Sequence, residues 1–260
     1  QDISKFLRKH IVLIDFAADF SLENSSEYSK WYKQKHRAVN NIKKSIYSLP
    51  EITGNEIKNF NIIGCPGCYP TSILIPLIPL LKKKLIKAKN IIIDSKSGYS
   101  GAGRNVHMKY KNKNLYESLS AYGVGFHRHN SEIEQELKKY NKNIEFDFTP
   151  HLTPMFRGIL STIYIDLSKN SSQLKIIKEL KKFYKKCNFI KIQKRDKLIS
   201  TNEVINTNYC NISVCKSKNG SKLVILSSID NLIKGGAGQA IQNLNIKFNL
   251  PETTGIKWRI

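Results

Sequence analysis

Apolar positions fall into short runs separated by polar stretches, and their spacing predicts alternating strands and helices. A first strand reads over residues 9–16, and polar sequence of helical character occupies 21–44. A short strand over 59–63 leads into the turn 64–71. A helix of roughly 71–85 follows; Pro70 suits its first turn, whereas Pro76 or Pro79 should kink it. Residues 90–95 form a continuous apolar run of the buried-strand type, closed by a Gly/Ser loop at 97–104. Beyond the segment 122–126, the pattern predicts a helix at 131–140 and strands at 145–149 and 157–166. A helix at 171–186, strands at 189–193, 208–215 and 222–228, and a last helix over 231–248 complete it. The ends are α/β in character, and the strand-rich middle suits a mixed or antiparallel sheet. Neither an internal repeat nor a low-complexity linker interrupts the series.

Composition narrows the picture. Forty per cent hydrophobic residues in 260 fit a folded chain with a sizeable core. No apolar run reaches the roughly 18 residues of a membrane span; the stretch 73–86 is broken by Pro76, Pro79 and Lys82 to Lys84. No signal peptide is visible, so a cytoplasmic location without membrane association is expected. The chain starts at Gln1 with an apolar run close behind, which fits a fragment or a processed chain. A net charge of +23 raises the question of a nucleic-acid partner. The lysines are spread through every segment, however, and a solvated basic surface is the better reading.

The chemistry concentrates at 64–71. Five cysteines, at 65, 68, 187, 210 and 215, are an odd number and form no disulfide framework. Cys65 and Cys68 have CxxC spacing, but no second ligand pair follows to make a zinc site, and no metal is expected. Cys68 lies on a Gly-containing strand-to-helix turn, where the helix dipole and free N–H groups would lower a thiol pKa and support an oxyanion. It is thus either a nucleophile or a small buried hydrophobe. His127 and His129, two residues apart, have side chains suited to proton transfer near neutrality.

These residues sit in a series of motifs. Pro66-Gly67-Cys68-Tyr69-Pro70-Thr71 is followed by Ser97-Gly98-Tyr99-Ser100-Gly101-Ala102-Gly103-Arg104, then by Gly125-Phe126-His127-Arg128-His129 with Glu132-Ile133. Phe148-Thr149-Pro150-His151-Leu152 with Arg157-Gly158-Ile159 comes next, and Asp230-Asn231-Leu232-Ile233-Lys234-Gly235 with Gln239 to Gln242 closes the set. Ile14-Asp15-Phe16-Ala17-Ala18-Asp19-Phe20 stands upstream. In this order the motifs resemble those of the N-acetyl-γ-glutamyl-phosphate reductases, over nearly the whole chain.

The resemblance implies an α/β protein with a partial Rossmann-type dinucleotide-binding domain, residues 1–85 and 231–260. Residues 86–230 would form an α+β catalytic and oligomerisation domain with a mixed sheet, like the C-terminal domain of glyceraldehyde-3-phosphate dehydrogenase. It implies NADP(H)-dependent reduction of an acyl phosphate through a cysteine thioester, in a homo-oligomer. Cys68 would be the nucleophile and His129 or His127 the acid/base, with a lean to His129. Arg104, Arg157 and Glu132 would face the substrate; Ser97, Gly98, Ser100, Gly101 and Asn231 would lie on the cofactor side. Alternatives are another acyl-phosphate reductase, such as an aspartate-semialdehyde dehydrogenase, or an inactive binding protein. Cys65, Ala17 and Ser21 depart from the usual motif residues without touching this chemistry. The family's glycine-rich pyrophosphate loop finds no match before Gly64. A missing N-terminal segment of roughly 80 residues, and weak NADPH binding without it, are therefore expected.

Overall fold

The computed structural model describes residues 2, 11–102, 117–218, 220 and 222–256. The chain opens with β1 (Leu13–Asp15), α1 (Ser25–Tyr32), α2 (Val39–Ile42), β2 (Ser45–Tyr47), α3 (Pro50–Thr53) and β3 (Ile62–Gly64). The three strands form a parallel sheet in the order β1-β3-β2. The β2 strand was not expected from the sequence; Ser-Ile-Tyr is too short to show alternation. Asp15, at the end of β1, accepts hydrogen bonds from the Ala17 and Phe20 N–H groups at 2.9 and 3.0 Å. That carboxylate folds residues 16–20 into a compact loop.

The larger layer begins with α4 (Cys68–Lys82) and β4 (Ile91–Gly98). It continues through β5 (Ser120–Ala121), α5 (His129–Lys138), β6 (Phe146–Thr153), β7 (Ile159–Asp166), α6 (Gln173–Phe183), β8 (Ile190–Ile192), β9 (Cys210–Lys216) and β10 (Lys222–Ile229). Seven strands form one sheet, β5-β6-β4-β7-β10-β9-β8. The sheet is mixed, as expected: β4 runs parallel to β6 and antiparallel to β7, and β10 lies antiparallel to both β7 and β9.

Every residue of α4 from Tyr69 to Leu81 is buried. The helix packs against α5, α6 and the middle strands in the main core, so its apolar character all round follows from burial on all sides. Its approach to the sheet is close because serines meet there. Ser161 Oγ lies 2.7 Å from both Ser72 Oγ and Ser95 Oγ, and Ser95 and Ser161 are register partners.

Pro76 and Pro79 sit inside α4, yet the helix runs on to Lys82. A proline at 79 removes the N–H that would have met the Ile75 carbonyl. The buried Tyr184 hydroxyl, just after α6, donates to that carbonyl instead, at 2.5 Å. A second difference from expectation lies at the C-terminal end. The last helix, α7, starts at Gly238 and ends at Lys247, not near Asn231. A π-type turn, Ile233–Ala237, precedes it, with Gly236 outside helical geometry. Asp230 Oδ1 starts this turn by accepting from Leu232 N–H at 2.8 Å and Ile233 N–H at 3.2 Å.

Tyr184→Phe should strand the Ile75 carbonyl in the core. A stability loss of about 1–3 kcal/mol is expected, seen as a lower urea midpoint at unchanged m. An unchanged midpoint would mean that this carbonyl needs no such partner.

Candidate active site

The short strand β3 ends at Gly64, and Gly67 precedes the first residue of α4, Cys68. Gly67 is where two elements meet. A Cβ built on it would fall 2.3 Å from His129 Nε2, so only glycine lets the imidazole at the start of α5 lie against this turn. One turn further along α5, Glu132 is buried and its Oε2 accepts from the Gly67 N–H at 3.0 Å and from the Tyr47 hydroxyl at 3.0 Å. Glu132 Oε1 stands 3.9 Å from His129 Nε2. The unforeseen β2 strand therefore contributes Tyr47 to the site. Thr71 Oγ1 donates to the Gly67 carbonyl at 2.9 Å and is itself held by Gln239 at 3.1 Å.

The two histidines lie side by side, ring centroids 4.8 Å apart. Tyr69 packs edge-on against both, at 5.6 Å from His127 and 5.9 Å from His129. Its hydroxyl accepts from Tyr122 at 3.0 Å and donates to the His151 carbonyl at 3.3 Å. His151 itself faces Asp94, 3.1 Å away across β6 and β4. A cavity of about 230 Å³ opens in front of the histidines. Phe16, Ala17 and Ala18 from the Asp15 loop, Tyr32, Gly101 and Arg128 line it together with both imidazoles.

Burial sets the protonation states. It pushes the Cys68 thiol up to about 12, overriding the N–H groups of Cys68 and Tyr69 that favour the thiolate. This corrects the expectation from the helix start alone: the dipole effect is present, but desolvation is larger. Burial also takes His129 well below its ordinary value and His127 down to about 4, so both are neutral bases at pH 7. Burial raises Glu132 to about 7 against the pull of its hydrogen bonds to Gly67 and Tyr47.

The residues expected on the cofactor side collect at the end of β4. Asn231 Oδ1 accepts from the Gly158 N–H at 2.6 Å, and Asn231 Nδ2 donates to Ser100 Oγ at 3.0 Å. Ser97 Oγ donates to the Gly98 carbonyl at 3.0 Å, the Gly98 N–H reaches the Gly158 carbonyl at 2.9 Å, and Gly101 borders the cavity. Arg157 is turned to Asp230, 3.3 Å away, and to Asn206. Arg104 lies outside the described residues. The sequence reading missed Tyr47, Tyr69, Gln239 and Gly235. Of these, Tyr69 was visible as part of the motif around Cys68, whereas Tyr47 carries no local signal. Gly235 lies against the site: a Cβ there would come 2.6 Å from Cys68 Cβ.

Residues 68–231 match the family model described as semialdehyde dehydrogenase, dimerisation domain. A protein of Vesicomyosocius okutanii named N-acetyl-gamma-glutamyl-phosphate reductase is 45% identical over 98% of this chain and 74% of its own length. A protein of Arabidopsis thaliana named as the probable chloroplastic enzyme of that name is also 45% identical, over 98% of the chain. The chain spans 64% of that relative's length, a little under two thirds. Among solved structures, aspartate semialdehyde dehydrogenase II of Vibrio cholerae, complexed with ASA, superposes with a TM-score of 0.67 at 15% identity. The match covers 92% of this chain and 72% of that one, and shows a shared fold. By sequence and by the order of its motifs, the chain belongs to the N-acetyl-γ-glutamyl-phosphate reductase family.

Proposed function

We propose that the protein reduces N-acetyl-γ-glutamyl phosphate to N-acetylglutamate semialdehyde and phosphate, with NADPH as reductant and Cys68 as nucleophile. The observation that carries this reading is the cluster at Gly67. A cysteine begins a buried helix, a neutral imidazole turns its Nε2 to the preceding glycine, and a carboxylate stands 3.9 Å from that same nitrogen.

A thiol held up at about 12 is protonated at rest and needs a base at the moment of attack. Neutral His129 takes the proton as sulfur bonds to the acyl carbon; the carbon–oxygen bond to phosphate breaks, phosphate leaves with its electron pair, and a thioester remains on Cys68. Glu132, ionised above about pH 7, stabilises the imidazolium from 3.9 Å. Bound NADPH supplies the hydride that brings the thioester carbon to the aldehyde level. His129 returns its proton as the sulfur departs, and His127 lies edge-on beside it, its Nδ1 accepting from the His129 N–H at 3.2 Å. Ala17, Ala18 and Gly101 line the cavity beside the imidazoles and would leave room for a nicotinamide, which Ser97, Gly98, Ser100 and Asn231, gathered at the end of β4, would help to hold. Arg157, and Arg104 outside the described residues, are the proposed anchors for the substrate's anionic groups.

In the same proposal, residues 1–85 and 231–260 form the dinucleotide side and residues 86–230 the catalytic and oligomerisation domain; α4, within the first range, packs against the larger sheet and the turn after β10. A homo-oligomer is supported by the dimerisation-domain match. No helix among the described residues is long and apolar enough to cross a membrane. A cytoplasmic location belongs to the proposal; the plant relatives are named as chloroplastic.

Replacing His129 by Asn should lower kcat by ~10²–10⁴ with little change in Tm, and His127→Asn by less than about 10-fold. The opposite order would transfer the proton-handling role to His127.

Glu132 gives a stability signature. Its folded value of about 7 exceeds the ordinary 4.5, so the folded state binds this proton more tightly than the unfolded chain. That contribution is complete below about pH 4.5 and is lost as pH rises through about 7. Between these limits the wild type should lose about 1–3 kcal/mol more stability than Glu132→Gln. Urea unfolding at both ends of the window measures it, and parallel curves would show that Glu132 ionises without cost.

A further inference from the structure

Lys234 is a charged residue fully buried in the π-type turn after β10, and the proposed chemistry makes no use of it. Its ammonium donates to Glu51 Oε1 at 2.5 Å and to Gln242 Oε1 at 2.8 Å, and neither ion exposes any side-chain surface. Gln242 donates onward to Glu51 at 2.9 Å and to Glu252 at 2.6 Å, while Asn208 donates to Gln242 at 2.9 Å. The network ties α3, the turn, α7 and the segment after it into one unit. Burying an ion pair gives little net stability over apolar residues of the same volume, and is better suited to fixing one arrangement among several.

What it fixes lies one residue on. Gly235 follows Lys234 and meets Cys68: a Cβ there would be 2.6 Å from Cys68 Cβ and 3.0 Å from its Cα. Gly235 N–H donates to the Asp230 carbonyl at 2.9 Å and Ala237 N–H to the Leu232 carbonyl at 3.0 Å, but Gly236 between them leaves helical geometry. The turn's own hydrogen bonds therefore do not lock it as a regular helix would, and the Lys234 side chain is its anchor to the far side of the core.

We propose that Lys234 is a positioning residue whose buried pair with Glu51 clamps the π-type turn so that Gly235 holds Cys68 in its attacking place at the start of α4. The proposal rests on Cys68 being the nucleophile. A charge-free double variant, Lys234→Met with Glu51→Gln, keeps the volume and leaves no buried ion unpaired. Gly235→Ala tests the same contact directly.

In each folded variant kcat should fall at least ~10-fold while KM stays within about 2-fold, as for a group that acts on the reacting geometry. Iodoacetamide labelling followed by peptide mass spectrometry should show the reverse trend at the sulfur. Cys68 freed from the turn should label several-fold faster, while the buried Cys65 and Cys210 stay slow. Unchanged kcat with unchanged Cys68 labelling overturns the proposal. So does a parallel rise at all three cysteines, which marks general loosening, and so does failure of both variants to fold, which marks a pair needed only for folding. The labelling arm depends on no substrate. If Cys68→Ser proves active, the nucleophile assignment fails first and separately, whatever Lys234 does to the labelling.

Discussion

The site depends on how closely the first turn of α5 approaches the turn before α4. His129 occupies the space that any side chain at position 67 would need, with Nε2 2.3 Å from where a Cβ would stand. From the other side Glu132 accepts the Gly67 N–H, so the same residue is gripped through its missing side chain and its backbone. Contact of this kind requires both helices to be rigidly seated. The burial of α4 on every face and the packing of α5 against it provide that seat. A larger residue at 67 would separate imidazole from cysteine without altering either.

Rigid burial has an electrostatic consequence. Three groups that water would leave as a modest acid, a half-protonated base and an ionised carboxylate are shifted together, all by the same desolvation. The thiol keeps its proton, the imidazole gives its proton up, and the carboxylate titrates near neutrality. The thiol and the imidazole are uncharged at rest beside the Arg128 guanidinium, and in the proposed chemistry charge separates between them when sulfur attacks. The N–H groups of Cys68 and Tyr69 at the start of α4 and the Glu132 carboxylate 3.9 Å from His129 Nε2 are in place to receive that separation.

Much of this was legible in the sequence where the signal is local. The apolar strand, the turn 64–71 and the apolar helix after it mark the cysteine through neighbours only a few positions away, and the mixed sheet followed from the run of strands in the middle. The histidines could be named with only a lean to His129, because the contact that distinguishes it is made with Gly67, about sixty positions away. Tyr47 was invisible for the same reason, in a three-residue strand with no period to detect. The partner that meets the carbonyl freed by Pro79, Tyr184, lies more than a hundred residues on and gave no local sign. The pair Lys234–Glu51 spans 183 positions, and nothing in either neighbourhood shows that two charges will be buried together. The last helix starts later than the expected 231 because Asp230 and the packing of Gly235 against Cys68 make residues 233–237 a separate π-type segment. Short-range pattern locates elements; partners far apart in sequence decide which residue does what.

In the proposed reaction Cys68 attacks the acyl phosphate and carries the acyl group. It is tested most directly by mixing the protein with N-acetyl-γ-glutamyl phosphate in the absence of NADPH, quenching in acid, and reading phosphate release and peptide mass together. A burst approaching one phosphate per chain is expected, with an N-acetylglutamyl adduct on the Cys68 peptide that hydroxylamine removes and that Cys68→Ser lacks. Phosphate release without an adduct, or an adduct on Cys65 in place of Cys68, would contradict it.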